Sequence, residues 1–221
     1  MALVLSTALG LVPSPAVAQG AVSGRVSIHE KPGETTTDFA ATVVYLMPKT
    51  GTPRFAETTK AHMDMNGRQF VPRVRVVTTG STVEYPNRDP FSHNIFSVAG
   101  GAAFDLGIYG GGTAKSAQFK KAGAFPVYCN IHAKMTGYVV AVSTPWYAQA
   151  GDDGRWSLER VPAGRYELHV WHERAPEFEK EVDVPAAGLA NIDQRLDATG
   201  FKQLPHKNKF GLDYTAGGVR Y

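Results

Sequence analysis

The chain contains 221 residues, of which 43% are hydrophobic, and it has a formal net charge of +3. So small a charge does not support nucleic-acid binding, which depends on a concentrated basic surface. The single cysteine excludes an intramolecular disulfide and leaves its thiol free to bind a metal.

The N-terminal residues predict a signal peptide. Residues 2–12 are apolar, and the sequence then reaches a small-x-small cleavage pattern at Ala18, so we expect residues 1–18 to be removed. The segment differs from a typical signal peptide in one respect, because no basic residue precedes Arg25. An uncleaved anchor is the competing interpretation, but the apolar stretch is shorter than the ~20 residues that cross a bilayer, and no later stretch approaches that length. We therefore expect an exported protein without a membrane span, periplasmic in a diderm bacterium.

Two β-strands are predicted between the signal peptide and residue 60. Residues 21–28 alternate between apolar and polar side chains, as in a strand with one buried face, and residues 41–46 fit a second strand. We interpret both as the first part of a domain that is completed beyond residue 144.

Three soft metal donors cluster just after these strands, at His62, Met63 and Met65. An imidazole with two thioethers would suit Cu(I). On a strand, however, Met63 and Met65 share one face while His62 lies on the other. Strand packing is therefore the preferred interpretation, and a second metal site is the alternative.

The middle of the chain carries the donor atoms of a metal site. They are one thiolate, two imidazoles and one thioether, from Cys129, His93, His132 and Met135. The last three donors in the sequence follow a C-x2-H-x2-M spacing. Residues 125–128 predict a strand that leads into this loop, and residues 138–142 predict the return strand. A strand that ends at Cys129 and turns tightly can direct the three side chains to one point, and His93 is then supplied by a neighbouring strand end.

This donor set is typical of a blue-copper site, in which one cysteine and two histidines bind strongly and an axial methionine binds weakly. This ligand set suits a copper ion that cycles between Cu(I) and Cu(II), because neither oxidation state obtains its preferred coordination geometry. It predicts one type 1 copper ion. A closed zinc site is less consistent, since thioether sulfur is a poor zinc ligand. A structural remnant that has lost its metal is the remaining alternative.

With the His93-Asn94 pair upstream of that loop, residues 61–143 resemble the cupredoxin family, most closely its plastocyanin and amicyanin branch. The resemblance implies a Greek-key β-barrel or sandwich with copper at one end. It implies the ligand atoms His93 Nδ1, Cys129 Sγ, His132 Nδ1 and Met135 Sδ. It also implies that the Asn94 side chain helps to tie the two ligand loops together.

The sequence on both sides of this segment predicts a second, smaller β-sandwich. Beyond residue 144, turn residues separate predicted strands at 152–158, 166–172, 181–184 and 190–196. Together with Gly24-Arg25-Val26, the runs from Asp152 to Leu158 and from Pro162 to Leu168 resemble the carboxypeptidase regulatory-like (transthyretin-like) domain, although Asp153 directly precedes Gly154.

The two resemblances imply an all-β protein with a cupredoxin inserted in a split sandwich. The expected segments are a signal peptide (1–18), a first sandwich part (19–60), the cupredoxin (61–144), a second sandwich part (145–198) and a C-terminal tail (199–221). One larger sandwich that combines both parts is the alternative.

The predicted function is electron transfer rather than catalysis. A four-ligand site has no open position for a substrate, and the His-x-His and His-Cys-His patterns of multicopper oxidases and nitrite reductases are absent from the sequence. We expect a one-electron carrier or redox module, with a non-redox copper-binding or protein-docking module as the alternative. The edge of His132 is the expected exit for the electron, and its candidate apolar neighbours are Phe91, Ile131 and Ala133.

A redox protein is the expected partner. Four lysines of the central segment could form a basic rim that favours an acidic partner, namely Lys115, Lys120, Lys121 and Lys134. Ordinary solvated lysines are the simpler interpretation.

Overall fold

The computed structural model describes residues 19–53 and 58–214; the predicted signal peptide, residues 1–18, lies outside this range. Within it the chain forms seventeen β-strands and one 3-10 turn, Phe39–Ala41, and contains no α-helix. The strands are β1 (Gln19–His29), β2 (Val43–Pro48), β3 (Lys60–His62), β4 (Asp64–Asn66), β5 (Gln69–Val71), β6 (Val74–Thr78), β7 (Thr82–Pro86), β8 (His93–Ser97), β9 (Phe104–Tyr109), β10 (Ala114–Gln118), β11 (Gly123–Cys129), β12 (Thr136–Val142), β13 (Tyr147–Gln149), β14 (Arg155–Pro162), β15 (Gly164–His172), β16 (Ala175–Val184) and β17 (Gln194–Asp197). The predicted all-β fold class is confirmed. No helix in the described part is long and apolar enough to span a bilayer.

The strands pair within two separate groups. Throughout the described residues, β3 to β12 form sheets only with one another, and so do β1, β2 and β13 to β17. We call the first group the inner unit (residues 60–142) and the second the outer unit (residues 19–48 and 147–197). The inner unit enters the outer unit between β2 and β13. Assignment of the outer unit to the carboxypeptidase regulatory-like family, with the domain bounds given above, stays a prediction.

In the outer unit, the three-stranded sheet β14-β1-β17 packs against the four-stranded sheet β13-β2-β15-β16. The alternation in β1 places Val22 and Val26 in the core between them, where both are fully buried. Gly24 lies between these valines, and a Cβ there would approach the Ile192 carbonyl oxygen to 1.9 Å. The close backbone approach beside β1 therefore requires glycine at this position.

In the inner unit, the five-stranded sheet β6-β12-β11-β8-β9 faces the three-stranded sheet β10-β7-β3, and the hairpin β4-β5 lies beside them. The core between the sheets contains large buried side chains, among them Tyr85 and Phe119. Cys129 and Met135 belong to the same buried cluster. Two of the four expected copper ligands are therefore part of the apolar core of the inner unit.

Two strands of the outer unit differ from the prediction. The strand predicted at residues 181–184 is the end of β16, which begins at Ala175; its earlier residues are largely exposed at a sheet edge, so no apolar alternation marks them. The strand predicted at residues 190–196 is reduced to the four residues of β17. The preceding segment instead forms irregular hydrogen bonds with β1, since Ile192 N donates to Ser23 O at 3.0 Å.

The two units share a small apolar core. The outer unit contributes Ala41 and Val43, and the inner unit contributes Val74, Val140 and Val142, all of them buried. At its margin the rings of Tyr138 and Trp171 lie 5.4 Å apart. Nearby, the Arg73 guanidinium forms two hydrogen bonds, 2.5 and 2.8 Å long, with the carboxylate of Glu173. The contact between the units thus combines buried apolar side chains with one ion pair.

Candidate metal centre

The ends of two neighbouring strands bring the predicted donors together. Cys129 is the last residue of β11, which pairs antiparallel with β8, and His93 is the first residue of β8. Beyond Cys129 the loop closes on itself, because Cys129 N donates to Met135 O (3.1 Å) and Met135 N donates to His132 O (2.9 Å). The loop then continues into β12. The predicted strands on both sides of it are present.

Three donor atoms form a nearly equilateral triangle. Cys129 Sγ lies 3.5 Å from His93 Nδ1 and 3.4 Å from His132 Nδ1, and the two Nδ1 atoms are 3.2 Å apart. An ion at the centre of such a triangle would be about 2 Å from each donor, which is close to the length of metal–ligand bonds in proteins. The donor set and its spacing therefore fit a metal ion.

The tautomer of His93 supports the same conclusion. His93 Nε2 lies 2.8 Å from Asp89 Oδ2, so Nε2 carries the ring proton and donates it to the carboxylate. Nδ1 of His93 then presents a lone pair towards the thiol and the second imidazole. Two imidazole nitrogens at 3.2 Å need a shared proton or cation between them. A metal ion satisfies both nitrogens at once.

Asp89 is an anchor that the sequence analysis did not identify. Besides His93, it accepts hydrogen bonds from the backbone N–H groups of Gly67 (2.7 Å) and Arg68 (3.1 Å) in the turn of the β4-β5 hairpin. Burial raises the pKa of Asp89, but these bonds outweigh it and hold the pKa below its usual value. In the sequence, its position four residues before His93 could have indicated this role, because carboxylates commonly pair with metal-binding histidines.

The surroundings favour neutral ligands in the absence of metal. Burial raises the pKa of the Cys129 thiol, against the effect of backbone N–H groups of Ile131, Asn94 and His132. Burial also lowers the pKa of His93 and of His132. A thiolate in this pocket therefore needs a cation to compensate its charge, and metal binding would release the thiol proton.

Met135 is buried at the end of the ligand loop. It is 1% exposed and shares the buried cluster of Cys129. Its backbone is hydrogen-bonded to both Cys129 and His132. Its role as the axial ligand stays a prediction.

Asn94 connects the two ligand segments, but through its backbone. The Asn94 carbonyl oxygen accepts a hydrogen bond from Asn130 N (2.8 Å). The Asn94 side chain instead donates to Asp105 Oδ1 at 2.6 Å. The resemblance implied a tie made by the side chain, and the difference arises because Asp105 on the adjacent strand β9 offers a charged acceptor.

The C-terminal tail covers the ligand loop, a role that its lack of periodicity did not indicate. Tyr214 Oη donates to the Cys129 carbonyl oxygen (3.0 Å), and Lys209 N donates to Asn130 Oδ1 (2.8 Å). Earlier in the tail, the His206 ring stacks on the Tyr128 ring, and the two ring centroids are 4.5 Å apart. The described part of the tail therefore shields the cysteine side of the centre from water.

The opposite side of the centre is more open. His132 is partly exposed, as are Phe91, Ile131 and Ala133 beside it. The ring of Phe91 lies 5.6 Å from that of His132, and the Arg68 guanidinium lies 5.1 Å above the same phenyl ring. These side chains form a small surface around the imidazole edge where a partner could approach.

The earlier cluster at residues 62–65 is divided between two faces. Met63 and Met65 are fully buried in the inner core. His62 is exposed instead, with Nδ1 3.1 Å from Glu84 Oε2. The methionines act as strand packing, in agreement with the preferred interpretation.

No protein-family model matches the chain, and no curated protein matches it. Among solved structures, the chain is similar to a purple cupredoxin from Nitrosopumilus maritimus, with 23% identity, a TM-score of 0.35, and coverage of 37% of this chain and 99% of that one. It is also similar to a reduced proline-to-phenylalanine variant of amicyanin (28% identity) and to an oxidised methionine-to-leucine variant (25% identity); each has a TM-score of 0.36 and covers 44% of this chain and 99% of the other. TM-scores this low carry no conclusion about function, which rests on the side chains described above.

Proposed function

We propose that the chain is a type 1 copper protein that carries one electron at a time. The observation that supports this most directly is the triangle of His93 Nδ1, Cys129 Sγ and His132 Nδ1, whose sides measure 3.2 to 3.5 Å. One thiolate and two imidazoles at this spacing match the strong donors of a blue-copper site, and buried Met135 would supply the weak thioether ligand.

When bound, copper supplies the one-electron couple, and the chain supplies a rigid frame around it. Asp89 holds the ring of His93 in one orientation, and two backbone hydrogen bonds close the loop that carries the other donors. Because these contacts do not depend on the oxidation state, little rearrangement is expected to accompany the electron. The partly exposed edge of His132, with Phe91 beside it, is the proposed route to a redox protein partner.

Further parts of the proposal concern the setting of this site. We propose that the protein is exported, to the periplasm in a diderm bacterium, and that it is a carrier rather than an enzyme. The donors already make a complete four-ligand set, so no position remains for a substrate. A non-redox copper-binding or docking module is the alternative that the test must distinguish.

The test is a visible absorption spectrum of the purified protein loaded with one equivalent of Cu(II), before and after ascorbate. We expect an intense blue band from thiolate-to-copper charge transfer that bleaches on reduction and returns on reoxidation. Cys129→Ser should abolish the band because it removes the thiolate. His62→Ala, which alters an exposed histidine outside the centre, is the matched control and should retain both the band and one copper per chain.

Two results would contradict the proposal. A protein that binds copper stoichiometrically without colour would favour copper handling or docking. An intense band that survives in Cys129→Ser would show that the charge transfer arises elsewhere.

A further inference from the structure

The face of the four-stranded sheet that points away from the core of the outer unit carries a second group of side chains with metal-ligand donor atoms. His169 on β15 lies opposite Glu179 on β16 and opposite Tyr45 on β2. Glu177 lies two residues before Glu179, on the same face of β16. The register between β15 and β16 brings these two carboxylates to His169.

The imidazole points into this group without a hydrogen bond. His169 is 9% exposed, and its Nδ1 atom is buried and forms no hydrogen bond among the described residues. Nδ1 lies 3.3 Å from Glu177 Oε1 and 3.6 Å from Glu179 Oε1, outside hydrogen-bonding geometry in both cases. These three donor atoms lie within 4.8 Å of one another. A buried imidazole nitrogen between two carboxylates is satisfied either by a proton or by a metal ion.

Neighbouring groups hold the ring and the first carboxylate in place. The Tyr45 ring stacks on the His169 ring, with centroids 4.5 Å apart and planes within 2°. The Tyr45 hydroxyl donates to Glu177 Oε1 at 2.7 Å. On the far side of the ring, Nε2 lies 3.6 Å from Glu167 Oε2. A carboxylate facing the other nitrogen is a usual companion of a metal-binding histidine, because it fixes the ring's tautomer.

The local charge also favours a cation. Lys49 pairs with Glu181 (2.7 Å) and Glu167 (3.5 Å) on the same face. In the described part of the chain, Glu177 and Glu179 have no lysine or arginine partner; each pairs only with His169. Two carboxylates therefore converge on one imidazole with no other cation to balance them.

We propose that His169 Nδ1 and the carboxylates of Glu177 and Glu179 bind a divalent transition-metal ion, with Zn²⁺ as the representative. One imidazole and two carboxylates form a borderline-to-hard donor set that suits Zn²⁺ or Cu²⁺ and does not suit Cu(I). The side chains of Glu177 and Glu179 are 34% and 57% exposed, so water completes the coordination. A cavity of about 160 Å³, lined partly by His169 and Glu177, adjoins the site between the two units.

This second site shares no residue with the copper centre, so the inference does not depend on the proposed function. The probe is Zn²⁺, titrated calorimetrically into the copper-loaded protein and, separately, into a Cys129→Ser/His132→Ala variant that lacks two donors of the first centre. We expect one Zn²⁺ per chain in both. Zn²⁺ binding that disappears in the double variant would place the ion in the first centre and overturn the proposal.

Variants of the second site give the deciding comparison. His169→Gln and Glu179→Gln should each weaken Zn²⁺ binding roughly tenfold or more, as loss of a ligand does. Glu181→Gln removes the same charge from the same strand but outside the group of donors, and it should change the affinity less than twofold. Equal weakening in Glu181→Gln would show general attraction to acidic surface, and unchanged binding in His169→Gln would exclude the site.

A spectroscopic measurement distinguishes loss of the second site from misfolding of the variant. With a second equivalent of Cu(II), the intact protein should show an additional axial electron paramagnetic resonance signal with coupling to one nitrogen. That signal should be absent in His169→Gln while the spectrum of the first copper is unchanged. Its persistence in His169→Gln would overturn the assignment.

Discussion

Asp89 orients His93, one of the two imidazoles of the proposed copper centre, without being a ligand itself. One of its carboxylate oxygens accepts a hydrogen bond from His93 Nε2, and the carboxylate also accepts the backbone N–H groups of Gly67 and Arg68. The side chain is almost fully buried, so each of these donors would lack a partner without it. The orientation of a proposed metal ligand thus depends on a charged group outside the proposed ligand set.

Replacing Asp89 by asparagine should therefore weaken copper binding while leaving the ligands intact. The amide offers one acceptor oxygen where the carboxylate offers two, so at least one of the three donors loses its partner. We expect the affinity for copper to fall by roughly 10- to 100-fold, measured by competition with a chelator, with the blue band retained. Asp64→Asn, on the partly exposed neighbouring hairpin, is the control. Equal affinities in both variants would show that Asp89 does not position His93.

Met135 should set the reduction potential without determining whether copper binds. In Met135→Gln the thioether is replaced by an amide oxygen, which is a harder donor that favours Cu(II) over Cu(I). We expect the reduction potential to fall while copper stoichiometry stays at one per chain. Voltammetry of the two proteins measures the difference. An unchanged potential would show that Met135 is not the axial ligand.

The residues that were predictable from sequence are those whose chemistry is local. The C-x2-H-x2-M spacing defines three donors within one loop, and that loop does bring Cys129 and His132 together. Asp89 and Glu177 could not be assigned roles in the same way. His93 is only four residues from Asp89, but the hairpin turn that anchors Asp89 is distant in sequence. Glu177 reaches His169 only through the register between strands.

Among the β-strands, the alternation of apolar and polar residues in the sequence predicted strands with one buried face better than strands at the edge of a sheet. The strand predicted at residues 21–28 is present as β1, and the one at residues 166–172 as β15. The edge strand β16 was recognised only at its end, because five of its first seven residues are exposed and show no apolar alternation. The tail from residue 199 to residue 214 has no apolar periodicity because its contacts are hydrogen bonds to side chains and ring stacking rather than sheet pairing.

The turn between β15 and β16 is tied to the rest of the outer unit by one arginine. Arg174 donates two hydrogen bonds to Glu30, 2.7 and 2.8 Å long, and two to Asp38, 2.6 and 3.0 Å long. Glu30 directly follows β1, and Asp38 precedes the 3-10 turn. The side chains of Glu30 and Arg174 are 8% and 16% exposed, so this ion pair is shielded from solvent.

This ion pair should make the stability of the protein depend on acid pH. Hydrogen bonds from Arg174 lower the pKa of Glu30 from 4.5 to about 2, against the effect of burial. Because the folded-state pKa is lower than the unfolded value, the carboxylate stabilises the native state above pH 4.5. That contribution is lost progressively as the pH falls from 4.5 towards 2.

Glu30→Gln tests this dependence. At pH 7 the variant leaves part of the Arg174 charge without its partner, and we expect the free energy of unfolding to fall by about 3 kcal/mol. Urea titrations at several pH values should show the deficit shrinking as the wild-type carboxylate becomes protonated. Glu34→Gln, at an exposed position nearby, should have little effect at any pH. A deficit that is the same at pH 7 and pH 2.5 would mean that the ionised carboxylate is not its cause.

At the scale of the whole molecule, the question is whether the inner and outer units unfold together. Five buried residues form the core that they share, with Val43 on the outer side and Val140 on the inner side. The chain provides a separate probe for each unit. All three tryptophans lie outside the inner unit, at residues 146, 156 and 171, and the single cysteine, Cys129, lies fully buried inside it.

We expect the two units of the metal-free protein to unfold in one transition, because separation would expose the apolar surface that they share. In urea, the change in tryptophan fluorescence and the reactivity of the Cys129 thiol should have the same midpoint. Val43→Ala, at the shared core, should lower both midpoints together, at a cost of roughly 2 kcal/mol. Val161→Ala is the decisive companion, because Val161 is buried in the outer core alone. If the units are coupled, this change also lowers the midpoint of thiol reactivity; if it shifts only the fluorescence, the units are independent and the shared core does not join them.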